Sequence, residues 1–283
     1  MIMNPAKLFL QYLSIFGFLV FGAGCSGTQS TVTRITDAGT LVAVDQSDNG
    51  YVLRGRRSLI KYDFRNHPSD RYDFDLTIQE IGLSTDLRLY GFNSDFQKFY
   101  ILDRYLNLIS HFEFNEYFDF LVRHPVLANG QNIWLYNQTE NKLQEYSTQL
   151  EFLTETRNLN WDIPNVRVDQ LLFHRNDVYL VDHSRGIFVY DYAGRLKQRF
   201  PLPERSSNVQ IDKVMNRIFA WFTGSWNYLD PDETIPAFRK VNFPFADHHN
   251  QPDQVIFQNG KIYIWNRDRQ EMEVLENRYL PVE

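Results

Sequence analysis

The feature that most constrains the fold is a pair of short apolar segments that recurs six times along the chain. Each copy has an aromatic residue in a first segment, and a second segment in which an apolar residue precedes an aromatic residue or leucine by three positions. The first-segment aromatics are Tyr51, Tyr100, Trp134, Tyr179, Phe219 and Tyr263. The second-segment pairs are Leu59/Tyr62, Ile109/Phe112, Leu143/Tyr146, Ile187/Tyr190, Trp226/Leu229 and Met272/Leu275. Each copy ends 10 to 12 residues after its first aromatic, whereas successive copies lie 49, 34, 45, 40 and 44 residues apart. A constant internal spacing with variable outer spacing indicates one hairpin module joined by loops of different lengths.

The fourth copy shows the complete unit most clearly. Its apolar segments predict strands over 168–174, 177–182, 186–192 and 195–202, and Tyr192-Ala193-Gly194 provides a turn before the last strand. Four strands in about forty residues is the size of a propeller blade. We therefore predict an all-β fold, a six-bladed β-propeller of four-stranded antiparallel blades over residues 39–283. A β-sandwich or two smaller β-domains is the alternative.

The composition of the segments that carry the first aromatic, which are the predicted second strands of the blades, supports a ring of stacked sheets. Trp134 and Tyr136 share one face of their strand, and Leu135 between them is also apolar. A strand that is apolar on both faces has to be covered on both faces. Blades that lie between two neighbours satisfy this requirement. Residues 31–35 alternate polar and apolar, so we expect them to pair with the last blade, whose other end is 278–282, and to close the ring.

The first thirty residues read as a targeting segment. Lys7 is followed by an apolar run over 8–21, which is shorter than the about twenty residues of a membrane span. This pattern is typical of a secretory signal peptide. We assign residues 1–24 to the signal and 25–38 to a tether that includes the closing strand. A general secretory signal with an incidental cysteine is the alternative.

The residues Gly22-Ala23-Gly24-Cys25 resemble the lipobox of bacterial lipoproteins, with Gly22 where the family usually has Leu, Val or Ile. Together with the hairpin repeat, they make the chain similar to bacterial six-bladed β-propeller lipoproteins of the NHL or TolB-like kind. The resemblance implies cleavage before Cys25 and attachment of acyl chains such as palmitate to that cysteine. It also implies a cell-envelope location, since Ser26 after the cysteine favours the outer membrane of a Gram-negative bacterium, on the periplasmic or the outer side.

The composition excludes several classes of function. The 283 residues carry a net charge of −6, and a nucleic-acid partner would need a basic surface. Cys25 is the only cysteine, which excludes an internal disulfide and a cysteine-rich metal cluster. Repeated sialidase-type turns, the Gly-x-Ser-x-Gly nucleophile turn and the His-Glu-x-x-His zinc helix are absent from the sequence. We therefore expect a non-catalytic protein with no cofactor.

Two groups of residues are weak candidates for a site. Asp247, His248 and His249 offer metal-ligating side chains, but two or three ligands from one stretch make half a site, so a solvated loop is the main interpretation. Trp221, Trp226 and Tyr228 surround Gly224-Ser225, where an exposed aromatic turn would contact a sugar or a protein. Packing between blades is the main interpretation of these aromatics. The run Asp182-His183-Ser184 is interpreted as a turn, because adjacent residues cannot align as a catalytic triad.

The function we expect is that of a protein-interaction or assembly scaffold, held at the membrane through Cys25 and docking another envelope protein. The alternative is a propeller hydrolase or lactonase-like enzyme, or a glycan-binding lipoprotein, that uses the central channel. For that alternative, the first strands would line the channel over 41–46, 87–92 and 209–214, with Asp45 and Asp212 as their acidic members.

Overall fold

The computed structural model describes residues 30–34, 39–63, 67–84, 86–129, 131–203, 206–241, 255–266 and 271–276, and in these residues the chain is almost entirely β-structure. A first strand, β1 (Ser30–Arg34), precedes the blades. Blade 1 contains β2 (Thr40–Val44), β3 (Asn49–Arg54), β4 (Ser58–Asp63) and β5 (His67–Asp73). Blade 2 contains β6 (Glu80–Leu83), β7 (Leu89–Asn93), β8 (Lys98–Leu102) and β9 (Leu108–Glu113). Blade 3 contains β10 (Val122–Ala128), β11 (Asn132–Asn137), β12 (Lys142–Ser147) and β13 (Phe152–Glu155).

The second half of the chain continues the same order. Blade 4 contains β14 (Gln170–His174), β15 (Asp177–Asp182), β16 (Gly186–Tyr190) and β17 (Leu196–Pro201). Blade 5 contains β18 (Ser207–Asp212), β19 (Arg217–Phe222), β20 (Ser225–Leu229) and the short β21 (Arg239–Lys240). Blade 6 contains β22 (Val255–Gln258), β23 (Lys261–Asn266) and β24 (Glu271–Glu276). Short 3-10 helices, Phe114–Glu116 and Leu159–Trp161, lie between blades 2 and 3 and between blades 3 and 4.

The six sheets form a closed ring. Within each blade the strands pair antiparallel in chain order, and the first strand of each blade contacts the first strand of both neighbouring blades. The contacts run from β2 through β6, β10, β14, β18 and β22 and return to β2. The predicted six-bladed propeller with four-stranded antiparallel blades is therefore confirmed.

Blade 6 takes its fourth strand from the start of the chain. β1 pairs antiparallel with β24, with Val32 opposite Glu273, so both ends of the ring lie in one sheet. This is the pairing that the alternation of residues 31–35 suggests. The segment 278–282, the expected other end of the last blade, lies outside the described residues.

The strands and the glycine turn predicted for blade 4 agree closely with the observed ones. The predicted second strand has the bounds observed for β15. The predicted first and third strands are each two residues too long at one end, and the predicted fourth strand is one residue too long at both ends. Gly194 lies in the turn after β16 with a φ of 72°, and its N–H donates to the carbonyl of Asp191 at 2.9 Å. A residue with a Cβ is disfavoured at this φ, and the carbonyl of Glu155 occupies the space that the Cβ would fill.

The prediction for blade 2 was displaced by one strand. Tyr100 lies in the third strand β8, and the Ile109/Phe112 pair lies in the outermost strand β9. The segment 87–92, expected as a first strand, belongs largely to the second strand β7, and the first strand is β6. The second-strand aromatic of blade 2 is Tyr90, which packs towards blade 3 and stands three residues before the turn residue Asn93. The adjacent Gly91 faces blade 1, where the ring of Phe74 lies 3.0 Å from the position of a Cβ. Counted from Tyr90, the neighbouring copies are 39 and 44 residues away, close to the period of the other blades.

The second strands are buried on both faces, as their composition predicts. Trp134, Phe219 and Tyr263 are at most 1% exposed, and Leu135 and Ala220, which point to the opposite face, are fully buried. Each strand is covered by the blades on its two sides. This packing leaves the first strands free to line the centre of the ring.

Candidate functional site

The first strands enclose a central channel with a cavity of about 580 Å³. All first strands run in the same direction, so the ring has two distinct faces. We name the face at which these strands begin the entry face, marked by Glu80 and Gln170, and the face at which they end the exit face, marked by Leu83 and Asp212. Because each blade is an antiparallel meander, turns between second and third strands also lie on the entry face. Connections from one blade to the next lie there as well.

The middle of the channel is apolar. Half-buried side chains from different blades line it, with no formal charge among them. These residues are Val42, Ile81, Leu172, Ile211 and Ile256, which we call the apolar belt. Gln210 also lines the channel, but its amide group is used to join two blades: Nε2 donates to the carbonyl of Val255 at 2.7 Å, and Oε1 accepts from the N–H of Phe257 at 3.1 Å.

Two imidazole–carboxylate pairs lie at the entry mouth of the channel. In the first, Nδ1 of His124 on β10 is 3.2 Å from a carboxylate oxygen of Glu80 on β6. The pair therefore bridges blades 2 and 3. Both side chains are partly exposed, so a molecule in the channel mouth has access to them.

The second pair is formed within blade 4. Asp169 precedes β14, and its carboxylate accepts a hydrogen bond from the backbone N–H of His183 at 2.9 Å, with Nδ1 of the same imidazole at 3.6 Å. Arg167 Nε also contacts this carboxylate at 2.6 Å. Nε2 of His183 is buried and has no hydrogen-bond partner among the described residues. A carboxylate that orients an imidazole is the arrangement used in general acid–base catalysis, but it is also common in structural sites.

The exit end of the channel holds a lysine. Lys213 follows β18, and its Nζ donates to the carbonyl oxygen of Leu83 on β6 at 2.6 Å. Burial lowers the pKa of Lys213 to about 8, and the nearby charge of Asp86 opposes this shift. The first strand of blade 5 is opposite that of blade 2 in the ring, so the lysine side chain spans the channel.

Exposed aromatic and apolar side chains lie on the entry face of blades 2 to 4. Phe96 is in the turn between β7 and β8, Tyr117 and Leu121 are in the connection to β10, and Trp161 is in the connection to β14. Their exposed fractions are 61%, 58%, 51% and 76%. We call these four residues the aromatic rim. Packed side chains anchor these connections. Next to Tyr117, Phe114 is fully buried and the ring of Phe118 packs 4.7 Å from the ring of Tyr146. Next to Trp161, Leu159 is fully buried.

The aromatic residues singled out in the sequence, Trp221, Trp226 and Tyr228, do not form an exposed turn. Trp226 is fully buried and Tyr228 is 1% exposed, while Trp221 is half-buried against the same cluster. Trp226 lies 5.0 Å from Phe257 of blade 6 and 5.8 Å from Trp221. Packing between blades is therefore the interpretation that the structure supports for this set, because these side chains fill the interface between blades 5 and 6.

Asp45 and Asp212, the expected acidic members of the channel, instead stabilise turns by accepting hydrogen bonds from backbone N–H groups. Asp45 accepts hydrogen bonds from the N–H groups of Ser47 and Asn49 and from the hydroxyl of Tyr51. Asp212 accepts from the N–H groups of Val214, Met215 and Gly260. Both carboxylates are buried in the protein with their oxygens occupied, so neither faces the channel.

The remaining predicted sites lie outside the described residues. These are the lipid-attachment residue Cys25 and the weak metal candidates Asp247, His248 and His249. Within the described residues, no three His, Cys, Asp or Glu side chains are close enough together to hold a metal ion. In the same part of the chain, no helix has the length and apolar character needed to cross a membrane.

Sequence reasoning missed the residues that give the channel its chemistry: Glu80, Asp169 and Lys213. The turn at Asp182-His183-Ser184 is confirmed, since Asp182 accepts from the N–H of Ser184 at 3.0 Å. However, its histidine pairs with Asp169, which is fourteen residues earlier. The available signal was positional: these residues stand at the two ends of first strands, where a side chain faces the channel mouth.

A scan against models of known protein families and a search of the curated proteins found no match. Solved structures are similar in fold. Virginiamycin B lyase from Staphylococcus aureus is 9% identical with a TM-score of 0.59, over 88% of this chain and 99% of the lyase chain. The β-propeller domain of Cps50 (Swd1) from Myceliophteria thermophila is 9% identical with a TM-score of 0.53, over 89% and 90% of the two chains.

Raptor from Chaetomium thermophilum contains a similar region. It is 8% identical with a TM-score of 0.53, over 89% of this chain and 29% of the Raptor chain. At such low identity these similarities establish the propeller fold. They leave the function to be argued from the site.

Proposed function

We propose that this chain is an envelope lipoprotein whose propeller is a non-catalytic docking scaffold, anchored to the membrane through acylated Cys25. The observation that carries the docking role is the aromatic rim. Trp161 is 76% exposed, whereas Trp134 and Trp226 are at most 1% exposed. Tryptophan is highly buried on average in proteins, and exposed aromatic clusters are typical of protein-interaction surfaces.

The charges around the rim indicate the chemistry of the partner. Asp95, Glu116 and Asp119 are exposed beside Phe96, Tyr117 and Leu121. Two arginines close to the rim are neutralised within the chain, since Arg157 pairs with Asp162 and Arg167 with Asp169. A partner surface that combines apolar side chains with Lys or Arg would complement the rim.

The membrane anchor rests on the sequence of residues 7–26. Two or more acyl chains would hold the protein stably, since each buried CH2 contributes about 0.8 kcal/mol. The tether after Cys25 leads to β1, which is the outer strand of blade 6. Ser26 supports the outer membrane as the destination.

The docking role is tested by site-specific photo-crosslinking in the native host. Position 161 or 117 carries a photoreactive phenylalanine analogue, and position 192 serves as the matched control. Tyr192 is 70% exposed, but its turn between β16 and β17 lies on the exit face. We expect one discrete crosslinked species from positions 161 and 117 and none from 192. Equal crosslinking at the three positions, or none at 161 and 117, would contradict the proposal.

The anchor is tested by replacing Cys25 with Ser. We expect the variant to leave the membrane fraction, while the matched variant Ser26→Ala remains there. A Cys25→Ser protein that still sediments with membranes at high salt would show that another feature anchors the chain.

The alternative of a channel enzyme or glycan-binding lipoprotein has one observation in its favour, the two imidazole–carboxylate pairs at the entry mouth. The acidic residues on which it was based, Asp45 and Asp212, are held in turns. Hydrolysis of lactone and ester substrates by the wild type, lost in a His124→Asn, His183→Asn double variant, would support the enzyme. We expect the two proteins to give the same background rate.

A further inference from the structure

We propose that the central channel is a binding site for a small organic anion with an apolar body, whose anionic group contacts Nζ of Lys213 at the exit end. The proposal rests on three features of the channel: the position of this lysine, the state of its charge, and the apolar belt next to it.

The position of Lys213 is fixed by the ring. β18 contacts β14 and β22, whereas β6 contacts β2 and β10, so the lysine and its acceptor Leu83 come from opposite blades. The side chain therefore crosses the channel instead of lying on a strand edge. Nζ has three donors, and within the described residues the carbonyl of Leu83 is the acceptor found for it.

The ammonium group has no counterion in the described part of the chain. Asp86, the carboxylate that influences its pKa, is 3.2 Å from Nε of Arg88 and is neutralised there. Asp212, on the same strand as the lysine, uses its oxygens on backbone N–H groups. A buried charge without a partner is unfavourable, and an anion that supplies the partner gains the corresponding free energy on binding.

The apolar belt determines the rest of the ligand. A cavity of about 580 Å³, lined mainly by aliphatic side chains with a few polar groups, has the size and character of a small-molecule site. Lys213 is the one ammonium or guanidinium group that lines it in the described residues, and the carboxylates of Glu80 and Asp169 stand at the other mouth. These charges favour one negative group on the ligand and disfavour a polyanion such as a nucleotide.

Isothermal titration calorimetry with sodium octanoate tests the site, and 1-octanol is the uncharged probe of the same chain length. We expect octanoate to bind to the wild-type protein at least about tenfold more tightly than 1-octanol, which corresponds to one charge-assisted hydrogen bond. Lys213→Met should remove this preference, and Lys213→Arg should retain most of it. Lys197→Met is the matched control, because Lys197 is an exposed lysine of β17 paired with Asp177 outside the channel.

The pH dependence gives a second readout. The titratable and charged groups near Lys213 are Asp86, Asp212, His174 and Arg175, and burial lowers the pKa of His174 from its ordinary value of 6.5. Between pH 7 and 10, therefore, Lys213 is the group among these that changes charge, and octanoate stays ionised. Octanoate affinity should fall as the pH rises above about 8 in the wild type, and this fall should be absent in Lys213→Met.

Several results would overturn the proposal. Equal affinity for octanoate and 1-octanol would show that no cation contributes, and unchanged octanoate binding to Lys213→Met would place the anion elsewhere. Absence of heat with octanoate, together with absence of octanoate signals in saturation-transfer NMR, would show that the channel binds no such anion. These outcomes do not affect the crosslinking test, which concerns the outer surface of the entry face.

Discussion

The interface between blades 2 and 3 is dominated by packed aromatic rings, whereas the interface between blades 6 and 1 adds a cluster of polar contacts around one carboxylate to its apolar core. Between blades 2 and 3, Phe114 lies 5.8 Å from Phe99 and 5.7 Å from Phe118, and Phe118 lies 4.7 Å from Tyr146. We call this group the aromatic wedge.

Between blades 6 and 1, an apolar cluster that includes Val52 and Tyr263 is supplemented by polar contacts. The carboxylate of Asp48, in the turn of blade 1, accepts from Lys261 at 2.5 Å, Tyr263 at 2.5 Å and Asn259 at 3.0 Å. Asn259 also donates to the carbonyl of Asp45 at 2.7 Å. We call this group the polar clasp.

The difference follows from where each interface lies in the sequence. Blades 2 and 3 are consecutive, so a short connection keeps them adjacent, and the polar contacts of Gln97 with Val122 and of His124 with Glu80 only add to the aromatic packing. Blades 6 and 1 are separated by more than 200 residues, and loop closure of that length has an entropic cost. Directional hydrogen bonds to one carboxylate select the register in which the ring closes. Apolar contacts stabilise the ring, and the polar contacts of the clasp specify how blade 6 aligns with blade 1 when the ring closes.

The largest expected effect comes from breaking the aromatic wedge. Phe114→Ala removes a fully buried ring, so we expect the free energy of unfolding to fall by about 3–5 kcal/mol. Urea unfolding followed by tryptophan fluorescence measures this change. Phe96→Ala is the matched control in the same blade. Because Phe96 is exposed, its replacement should cost less than about 0.5 kcal/mol. Similar losses in the two variants would show that the wedge adds nothing to ordinary surface packing.

The next effect has the opposite sign and concerns the ammonium group of Lys213. Unlike Lys261 of the polar clasp, which pairs with Asp48, Lys213 has no carboxylate partner in the described residues. Lys213→Met should stabilise the protein by about 1–2 kcal/mol at pH 7, because it removes an uncompensated ammonium group, partly offset by the lost bond to Leu83. Since the native pKa is about 8 and the ordinary value is 10.5, the unfolded state binds the proton more tightly. Wild-type stability should therefore rise from pH 8 to 10.5 relative to Lys213→Met. A parallel pH dependence of the two proteins would contradict this assignment.

The polar clasp itself is tested by Asp48→Asn. Asp48 has a φ of 62°, a conformation that asparagine tolerates well, so the variant removes the charge and keeps the turn. Burial alone would raise the pKa of Asp48, but the hydrogen bonds from Lys261 and Tyr263 hold it below its ordinary value of 3.8. The carboxylate therefore contributes stability above about pH 4 and loses it as the pH falls through the lowered native pKa. We expect a loss of about 1 kcal/mol at pH 7 that diminishes below pH 4, measured by thermal unfolding. A loss that persists unchanged in acid would mean that the charge is not involved.

The sequence predicted the ring because aromatic residues in the second strands repeat with the blades, and burial on both faces follows from their composition. It failed in blade 2 because Tyr100, an aromatic residue of the third strand, was taken for the second-strand aromatic, which is Tyr90. Asn93, whose side chain accepts from the N–H of Phe96, marks the true second-strand turn and was overlooked.

The site was much less predictable than the fold. Trp226 and Tyr228 appear in the sequence as a candidate surface, but a neighbouring blade covers them. The exposure of Tyr117 depends on a connection anchored by Phe114 and Phe118, and that of Trp161 on a connection anchored by the buried Leu159. Lys213 and Leu83 are 130 residues apart, so only closure of the ring brings them together. A hydrogen bond across the channel depends on the number of blades and on how their first strands are aligned. The pattern of apolar residues within one blade does not contain this information.

The smallest expected effect separates the two interfaces by their response to salt. Lys261→Met removes the ion pair with Asp48 but leaves the hydrogen bonds from Tyr263 and Asn259, and both charged side chains are about one third exposed. We expect a loss of about 0.5 kcal/mol at 0.1 M NaCl, which should shrink at 1 M because the screening length falls from about 10 to 3 Å. The loss caused by Phe114→Ala should not shrink under the same conditions, since burial of an aromatic ring involves no screened charge. If high salt reduces the two losses equally, the contrast between a polar clasp and an aromatic wedge is wrong, and the two interfaces are held by the same forces.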